Sequence, residues 1–413
     1  MFQGPAMEST LTTTCVIAGG GPAGMMLGLL LARAGVEVVV LEKHADFLRD
    51  FRGDTIHPST LQVMYELGVL DDFLKLPHQK AETLSVVVGD ETVHIADFRH
   101  LPTHCGFIAL MPQWDFLDFL ADQGKLYPGF TLKMRAEVTG LIEEGGRIAG
   151  VHATTPEGPL DVRAVLTIGA DGRGSTVRAA AGLTVDDIGA PMDVLWMRLS
   201  RRPDDGEDTL GRIEAGHIFI MINRGDYWQC AFVIPKGGLE DIKRLGLPAF
   251  RNSIAQLAPM LRDRVDELRS WDDVKLLTVK VDRLRRWYRP GVLCIGDAAH
   301  AMSPIGGVGI NLAVQDAVAA ANILAEPLRA RSATVDDLNA VQQRREFPTR
   351  VTQRIQVLAQ NRIVSRVLGS KGQIRAPWLV RQFNRFPILR RLPARMIGMG
   401  VRPEHVHDVK QRP

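Results

Sequence analysis

TTTCVIAGGGPAGMMLGLLLARAGVEVVVLE, residues 12–42, decides the fold. Thr12 to Ala18 is a short β-branched and apolar run, the texture of a buried strand. Gly19 to Gly24 follows at once, then a helix-forming run that ends at Gly35. Val36 to Leu41 is a second continuous apolar strand, closed by Glu42. This is a β-α-β unit of about 30 residues. Gly19, Gly21 and Gly24 supply Gly-x-Gly-x-x-Gly. The first permits the tight turn, the second lets backbone approach a pyrophosphate, and the third lets helix and strand pack closely. Glu42 stands 18 residues after Gly24, where an acid accepts hydrogen bonds from a ribose. The unit predicts dinucleotide binding.

A second stretch, LCIGDAAHAMSPIGGVGINLAVQDA from Leu293 to Ala317, poses a related problem. The buried-looking strand Val292–Ile295 runs into Gly296-Asp297. A glycine-rich loop, Pro304 to Gly309, then precedes a helix-like run from Asn311. Such a loop leaves backbone N–H groups bare and aims a helix dipole at whatever sits there. The ligand is either a phosphate or a ring that must carry negative charge.

Between these stretches, Ser59–Leu67 looks helical after Pro58, and Gln113–Leu120 carries Phe116, Leu117, Phe119 and Leu120 on an apolar side. Arg147–Val151 and Leu160–Ile168 flank Pro156–Pro159 as a hairpin that delivers GADGRGSTVR, residues 169–178. The texture changes over Ala190–Lys280, where MDVLWMRLS, GHIFIMI and YWQCAFVI alternate with turns and predict an antiparallel sheet. From Asn311 the pattern is helical to the end, broken by Pro327, Pro348, Pro377, Pro387 and Pro393. Only one Gly-x-Gly-x-x-Gly occurs, so a second dinucleotide must bind without a fold of its own.

Composition narrows the classes. With 46% apolar and 23% charged residues in 413, the chain is an ordinary globular protein with room for two or three domains. A net charge of +3 is too small to argue for nucleic acid. Cys15, Cys105, Cys230 and Cys294 are scattered, without metal spacing, which predicts a reduced, cytoplasmic protein and no metal site. No run approaches the roughly 18 apolar residues of a membrane span. Met1–Ala6 has the texture of a cleaved tag and is set aside. From Lys371 onward ten Lys/Arg face two Asp/Glu, a net of +8, interleaved with Trp378, Phe383, Phe386, Ile388 and Leu389. Three readings stand: a solvated helical face packed by its apolar side, a contact with a membrane surface or partner, or nucleic-acid binding, the first favoured and the last least.

Three motifs in fixed order, GGGPAG, DGRGSTVR and GDAAHAMSPIGGVGIN, resemble those of the flavin-dependent aromatic hydroxylases typified by para-hydroxybenzoate hydroxylase. The resemblance covers roughly residues 12–325 and is most specific in the late motif. It implies an α/β (α+β overall) fold: a Rossmann-like FAD-binding domain, an inserted antiparallel-sheet substrate domain and a helical C-terminal region. The corresponding segments are 7–76, 104–185 and 281–365 for FAD; 77–103 and 186–280 for the sheet; and 366–413 for a basic helical end. It also implies NAD(P)H-driven hydroxylation by O2 through a flavin C4a-hydroperoxide, with FAD held non-covalently and NAD(P)H a transient co-substrate. A thioredoxin-like C-terminal domain is not expected.

Carried over residue by residue, Glu42 matches the family acid on the adenosine ribose, with Lys43 beside it. Arg52, in FRGDTIHP, matches the arginine that reaches the cofactor near the active site, and Asp54 follows it closely enough to face the flavin. Gln113 matches a polar flavin contact, Asp171 the acid of the Asp-Gly motif, and Asp297 the acid on the ribityl chain. Pro304 and Gly306 to Asn311, including Gly307, Gly309 and Ile310, match the loop beside the isoalloxazine. Arg52, Asp54 and Pro304 are the residues expected nearest the chemistry; no acid or base is assigned. His300 sits in a motif position that is usually structural, and His57, His104 and His217 read as ordinary histidines. Trp196, Met221 and Trp228 are candidate substrate contacts in the inserted sheet, though each also reads as core. The segment's Met, Ile, Trp and Phe favour an aromatic or polycyclic, lipophilic substrate. Three rivals remain: a reductase of isoprenoid-type double bonds, a flavin halogenase, whose Trp-x-Trp-x-Ile-Pro motif is absent, and a non-enzymatic flavin-binding protein.

Overall fold

The structure, a computed structural model, describes residues 9–48, 55–206, 210–370, 372 and 374–407. Its central sheet is built around the first strand, Ser9–Ala18, which lies parallel to and between Val38–Glu42 and Gly158–Gly169. Phe130–Met134 extends one side and Val292–Cys294 the other, both parallel to their neighbours. Val38–Glu42 is buried at every position, which is why its sequence shows no polar alternation. The helices Pro22–Arg33 and Gly309–Arg329 pack against each other within this core.

Register sets the chemistry. Ala18 pairs with Gly169 and with Leu41, and Gly169 pairs with Cys294. The strands therefore end together and deliver their closing residues to a single edge: Gly19, Glu42, Ala170-Asp171 and Gly296-Asp297. The crevice beyond the carboxyl ends of parallel strands is where such sheets bind ligands.

A second sheet of seven strands stands apart in the order Lys275–Leu277, Met192–Ser200, Tyr227–Pro235, His217–Asn223, Leu210–Glu214, Thr83–Val88, Glu91–Asp97. It is antiparallel except where Leu210–Glu214 meets Thr83–Val88. One face is roofed by the helix Leu247–Leu257, over Leu195, Met197, Phe219, Met221, Trp228 and Phe232. This helical layer, with Leu239–Leu245, lies in a segment whose sequence reads as strands and turns alone. The opposite face carries Val194, Ile218, Ala231 and Val233, with Trp196 and Ile220 beside them.

Pro377 and Pro387 bound the helix Trp378–Arg385 as their positions predict, but Pro327, Pro348 and Pro393 lie inside helices. Pro327 lies in the last turn of Gly309–Arg329, and Pro348 lies inside Val335–Ala359. The actual break falls before Thr334, whose hydroxyl caps the second helix in a reciprocal box with Asp337. A proline forfeits one helical hydrogen bond; Pro348 is buried, and its packing offsets that loss. Nor is the end continuously helical: residues 374–377 form no helix or strand between Ser365–Leu368 and Trp378–Arg385. Residues 305–329 are long and apolar enough to cross a membrane, but 83% of that window is buried, so this is the core helix of a folded domain.

Candidate active site

The glycine triplet does three different things. Gly19 adopts φ +103°, and a Cβ there would lie 2.4 Å from the Ala170 carbonyl oxygen. A Cβ on Gly24 would fall 2.0 Å from the Gly19 oxygen, so helix and turn meet only because that atom is missing. Gly21 is the opposite case: its backbone is extended and a Cβ would meet nothing within 4 Å. The space beside Gly21 is thus kept open without any conformational need for glycine. The helix it precedes has Pro22 at its start and no side-chain cap, so its first N–H groups are left for a ligand.

Glu42 is buried and accepts from the Gly20 N–H at 2.9 Å and the His44 N–H at 3.0 Å. The acid fixes the glycine turn; Lys43 beside it is exposed. Asp171 is turned inward. It accepts from Ser175 Oγ at 2.5 Å and the Val177 N–H at 3.1 Å, tying down the short helix Thr176–Ala180. Gln113 begins the helix Gln113–Lys125 and is half-buried.

Asp297 stands at the mouth, about one-third exposed, and accepts from Arg173 Nε at 3.1 Å. Its neighbour Gly296 would, with a Cβ, touch Ala23 at 3.0 Å, which puts Asp297 next to the glycine helix. Behind it runs a buried charge network. Asp316 accepts from the Gly296 N–H at 3.0 Å and from Arg345 Nε at 2.9 Å, and lies 2.6 Å from His300 Nε2. Arg345 continues to Glu404 at 3.2 Å. Burial works to raise the Asp316 pKa, but His300 and Arg345 outweigh it and hold the carboxyl below its usual range. His300 is therefore a buried partner of Asp316, away from the mouth.

The loop Pro304–Gly309 is pinned from outside its own sequence. Gln356 accepts from the Ser303 N–H and donates to the Ser303 and Ile305 carbonyls; Gln360 donates to Ser303 Oγ. Gln353 does the same one turn earlier, for Asp282 and Ala301. These glutamines sit at i, i+3 and i+7, one face of a helix, and that polar spacing is the signal by which the sequence discloses them. Gln360 opens a π-helical turn, a distortion that recurs at functional sites. Beyond the pinned part, Gly306 and Gly307 both take positive φ, and Thr55 Oγ1 donates to the Gly307 carbonyl at 3.0 Å. Nothing lies within 4 Å of a Cβ on Gly309. Ile310 and Asn311 are buried in the first turn of a helix without a side-chain cap. Asn311 Oδ1 accepts from the His57 N–H and Thr60 Oγ1, leaving its Nδ2 buried without a partner among the described residues.

The open side of Gly21, the bare helix starts, the exposed Asp297 and the orphaned Asn311 amide fit an extended dinucleotide whose ring end lies against the loop. Arg52 and Asp54 lie outside the described residues; Thr55, the next residue in the chain after Asp54, is the one that touches Gly307. Among the described residues no group of three or more His, Cys, Asp or Glu is arranged to hold a metal.

The FAD binding domain family matches residues 12–355. The chain belongs to that family. It is similar to the 6-methylpretetramide 4-monooxygenase of Streptomyces rimosus, 35% identical over 374 residues that cover 90% of this chain and 88% of that one. The solved structure of the anhydrotetracycline hydroxylase OxyS from the same organism superposes with a TM-score of 0.71 at 22% identity, covering 94% of this chain and 76% of that one. A flavin-dependent brominase superposes with 0.73 at 17% identity, covering 94% and 93%, so the fold is common to more than one flavin chemistry. This FAD-binding protein is a flavin-dependent monooxygenase with the hydroxylase fold.

The three substrate candidates separate. Trp196 shares the sheet face that packs against Ile305 of the glycine loop. Met221 and Trp228 point the other way, under Leu247–Leu257, and Trp228 donates its indole N–H to Asp205 at 3.0 Å. Passed over in the sequence was Arg224, part-buried in the turn between His217–Asn223 and Tyr227–Pro235, where Nε donates to Gln229 Oε1 at 3.0 Å and desolvation lowers its pKa to about 10.

Proposed function

We propose that this flavoprotein hydroxylates a polycyclic phenolic substrate with O2, using NAD(P)H as a transient reductant. The observation that carries the substrate class is the face opposite the roofed one. Val364 and Val367 cover Val194, Ala231 and Val233 there, while Trp196 and Ile220 stay part-buried on the same face, which packs with Ile305 of the flavin loop. An apolar aromatic edge of this kind beside the loop suits a flat, multi-ring substrate, and the likeness to a pretetramide monooxygenase supports the same class.

When bound, FAD supplies electron storage and oxygen activation; the protein binds, orients and dries it. Glu42 and the open flank of Gly21 would hold the adenosine and pyrophosphate, and Asp297 the ribityl hydroxyls. Gly309 to Asn311 would set a helix start against the ring edge that becomes negative on reduction. A helix N-terminus stabilises a nearby anion by about 0.3–2 kcal/mol. Trp196 and Ile220 beside Ile305 would help keep water from the reacting faces.

The loop supports a control of electron flow. Its upstream half is fixed by Gln356 and Gln360, while Gly306-Gly307 is a glycine pair in contact with Thr55. Substrate seated against Ile305 would press on that joint and shift the ring. Binding of 6-methylpretetramide, or of another polycyclic phenol that the enzyme hydroxylates, is expected to raise the anaerobic rate of flavin reduction at least about tenfold, or about 1.4 kcal/mol of barrier. Stopped-flow reduction with and without ligand measures it. An unchanged rate with a compound that is demonstrably hydroxylated refutes the control while leaving the monooxygenase reading intact.

A further inference from the structure

From Phe347 to Pro403 the sequence holds eleven arginines and Lys371 and not one Asp or Glu. Of those arginines only Arg350 and Arg381 have an ion-pair partner among the described residues. The last helices of this stretch, Trp378–Arg385 and Arg391–Gly398, lie on the outer strand Glu91–Asp97 of the second sheet. Their inner side is fully engaged. Asn384 exchanges two hydrogen bonds with the strand, Arg381 pairs with Glu91, and Val380, Ala394 and Ile397 pack inward. The outer side is not needed for folding, yet it is strongly apolar: Trp378 is 70% exposed, Leu392 69% and Ile388 66%. Arg385, Arg391 and Arg395 are exposed on the same short helices.

Protruding large apolar side chains set among unpaired arginines form a ridge, not a groove. A protein partner would have to supply a matching cavity, whereas a bilayer accepts protrusions anywhere on its surface. An amphipathic segment with basic residues on one side and Trp, Ile and Leu on the other lies in the interfacial plane of an anionic membrane. We propose that this ridge docks the enzyme on an anionic lipid bilayer. The placement suits the function proposed above and does not depend on it. The Ile397 carbonyl lies 2.8 Å from His57 Nδ1, and the His57 N–H is bonded to Asn311. The ridge is therefore tied to the flavin loop, and docking would bring the site close to the phase into which a lipophilic polycyclic substrate partitions.

Sedimentation of the FAD-loaded enzyme with extruded vesicles tests the proposal. Binding is expected to vesicles of phosphatidylcholine with about one-third phosphatidylglycerol and to weaken at least about tenfold on pure phosphatidylcholine, since each surface cation contributes about fivefold on an anionic bilayer. High salt should weaken it similarly. The triple variant Arg385→Glu, Arg391→Glu, Arg395→Glu and, separately, Trp378→Ser with Leu392→Ser should each lose vesicle binding while keeping bound flavin and the wild-type melting temperature. Trp378→Ser alone should remove the fluorescence blue shift seen on adding anionic vesicles. No binding to anionic vesicles overturns the proposal. So does a wild-type dimer that the Trp378/Leu392 variant converts to monomer, since the ridge would then be a subunit interface. Binding to an acidic protein that survives where vesicle binding is absent overturns it too.

Discussion

Arg345→Leu is expected to destabilise the protein by about 3–5 kcal/mol and to empty it of flavin in proportion, because it takes from buried Asp316 the only arginine paired with it among the described residues, while Glu404 keeps Arg344. Arg345 is 1% exposed, Asp316 is fully buried and Glu404 is 4% exposed. Removing one partner from such a set strands charge in low dielectric, which costs far more than the intact set contributes. The expected loss reaches the cofactor because Asp316 also binds the Gly296 N–H, the residue before Asp297. Chemical denaturation of the variant beside wild type measures it. A loss below about 1 kcal/mol would mean that the network is solvated and does not hold the Asp297 turn.

Gly21→Val is expected to do the reverse: leave the apoprotein folded and abolish FAD binding. The backbone at Gly21 has φ −76° and ψ −176°, which any residue adopts, and its Cβ direction points into open space. Folding therefore has no objection to a side chain there. A pyrophosphate docked at this helix start would have one, because the added methyls would occupy the approach to its first N–H groups. A drop in FAD affinity of about 100-fold or more is expected, which is about 2.7 kcal/mol, with the apoprotein melting within a few degrees of wild type. Gly24→Val, whose Cβ meets the Gly19 carbonyl, should instead fail to fold. Equal flavin content in Gly21→Val and wild type would move the pyrophosphate away from this turn.

The contrast between Gly21 and Gly24 also shows what a sequence discloses. The triplet, its flanking strands and Glu42 were readable because each element is continuous and the spacing is fixed by one turn. The late motif was readable for the same reason. What escaped depends on long-range contacts. Gln353, Gln356 and Gln360 act on a loop some 50 residues earlier, and nothing local marks their targets. Arg173 reaches Asp297 across 124 positions. In the inserted sheet the strands are apolar on both faces, so alternation identifies two walls without saying which is roofed by helices. Only the packing of Leu247–Leu257 decides that Met221 and Trp228 are core while Trp196 faces the loop. Pro377 and Pro387 mark helix ends as expected, whereas Pro348 misled because its cost is local and the packing that offsets it is not.

The central claim is that this chain uses FAD to place one atom of O2 on an aromatic ring. It is tested most directly by turnover of 6-methylpretetramide or a related polycyclic phenol under ¹⁸O2, with NAD(P)H as reductant and mass analysis of the product. The expected result is a single ¹⁸O in the product, retained when the solvent is unlabelled water, with one NAD(P)H oxidised for each product formed. A product without label would contradict the claim. So would NAD(P)H oxidation that yields only hydrogen peroxide at the same rate whether or not any polycyclic phenol is present.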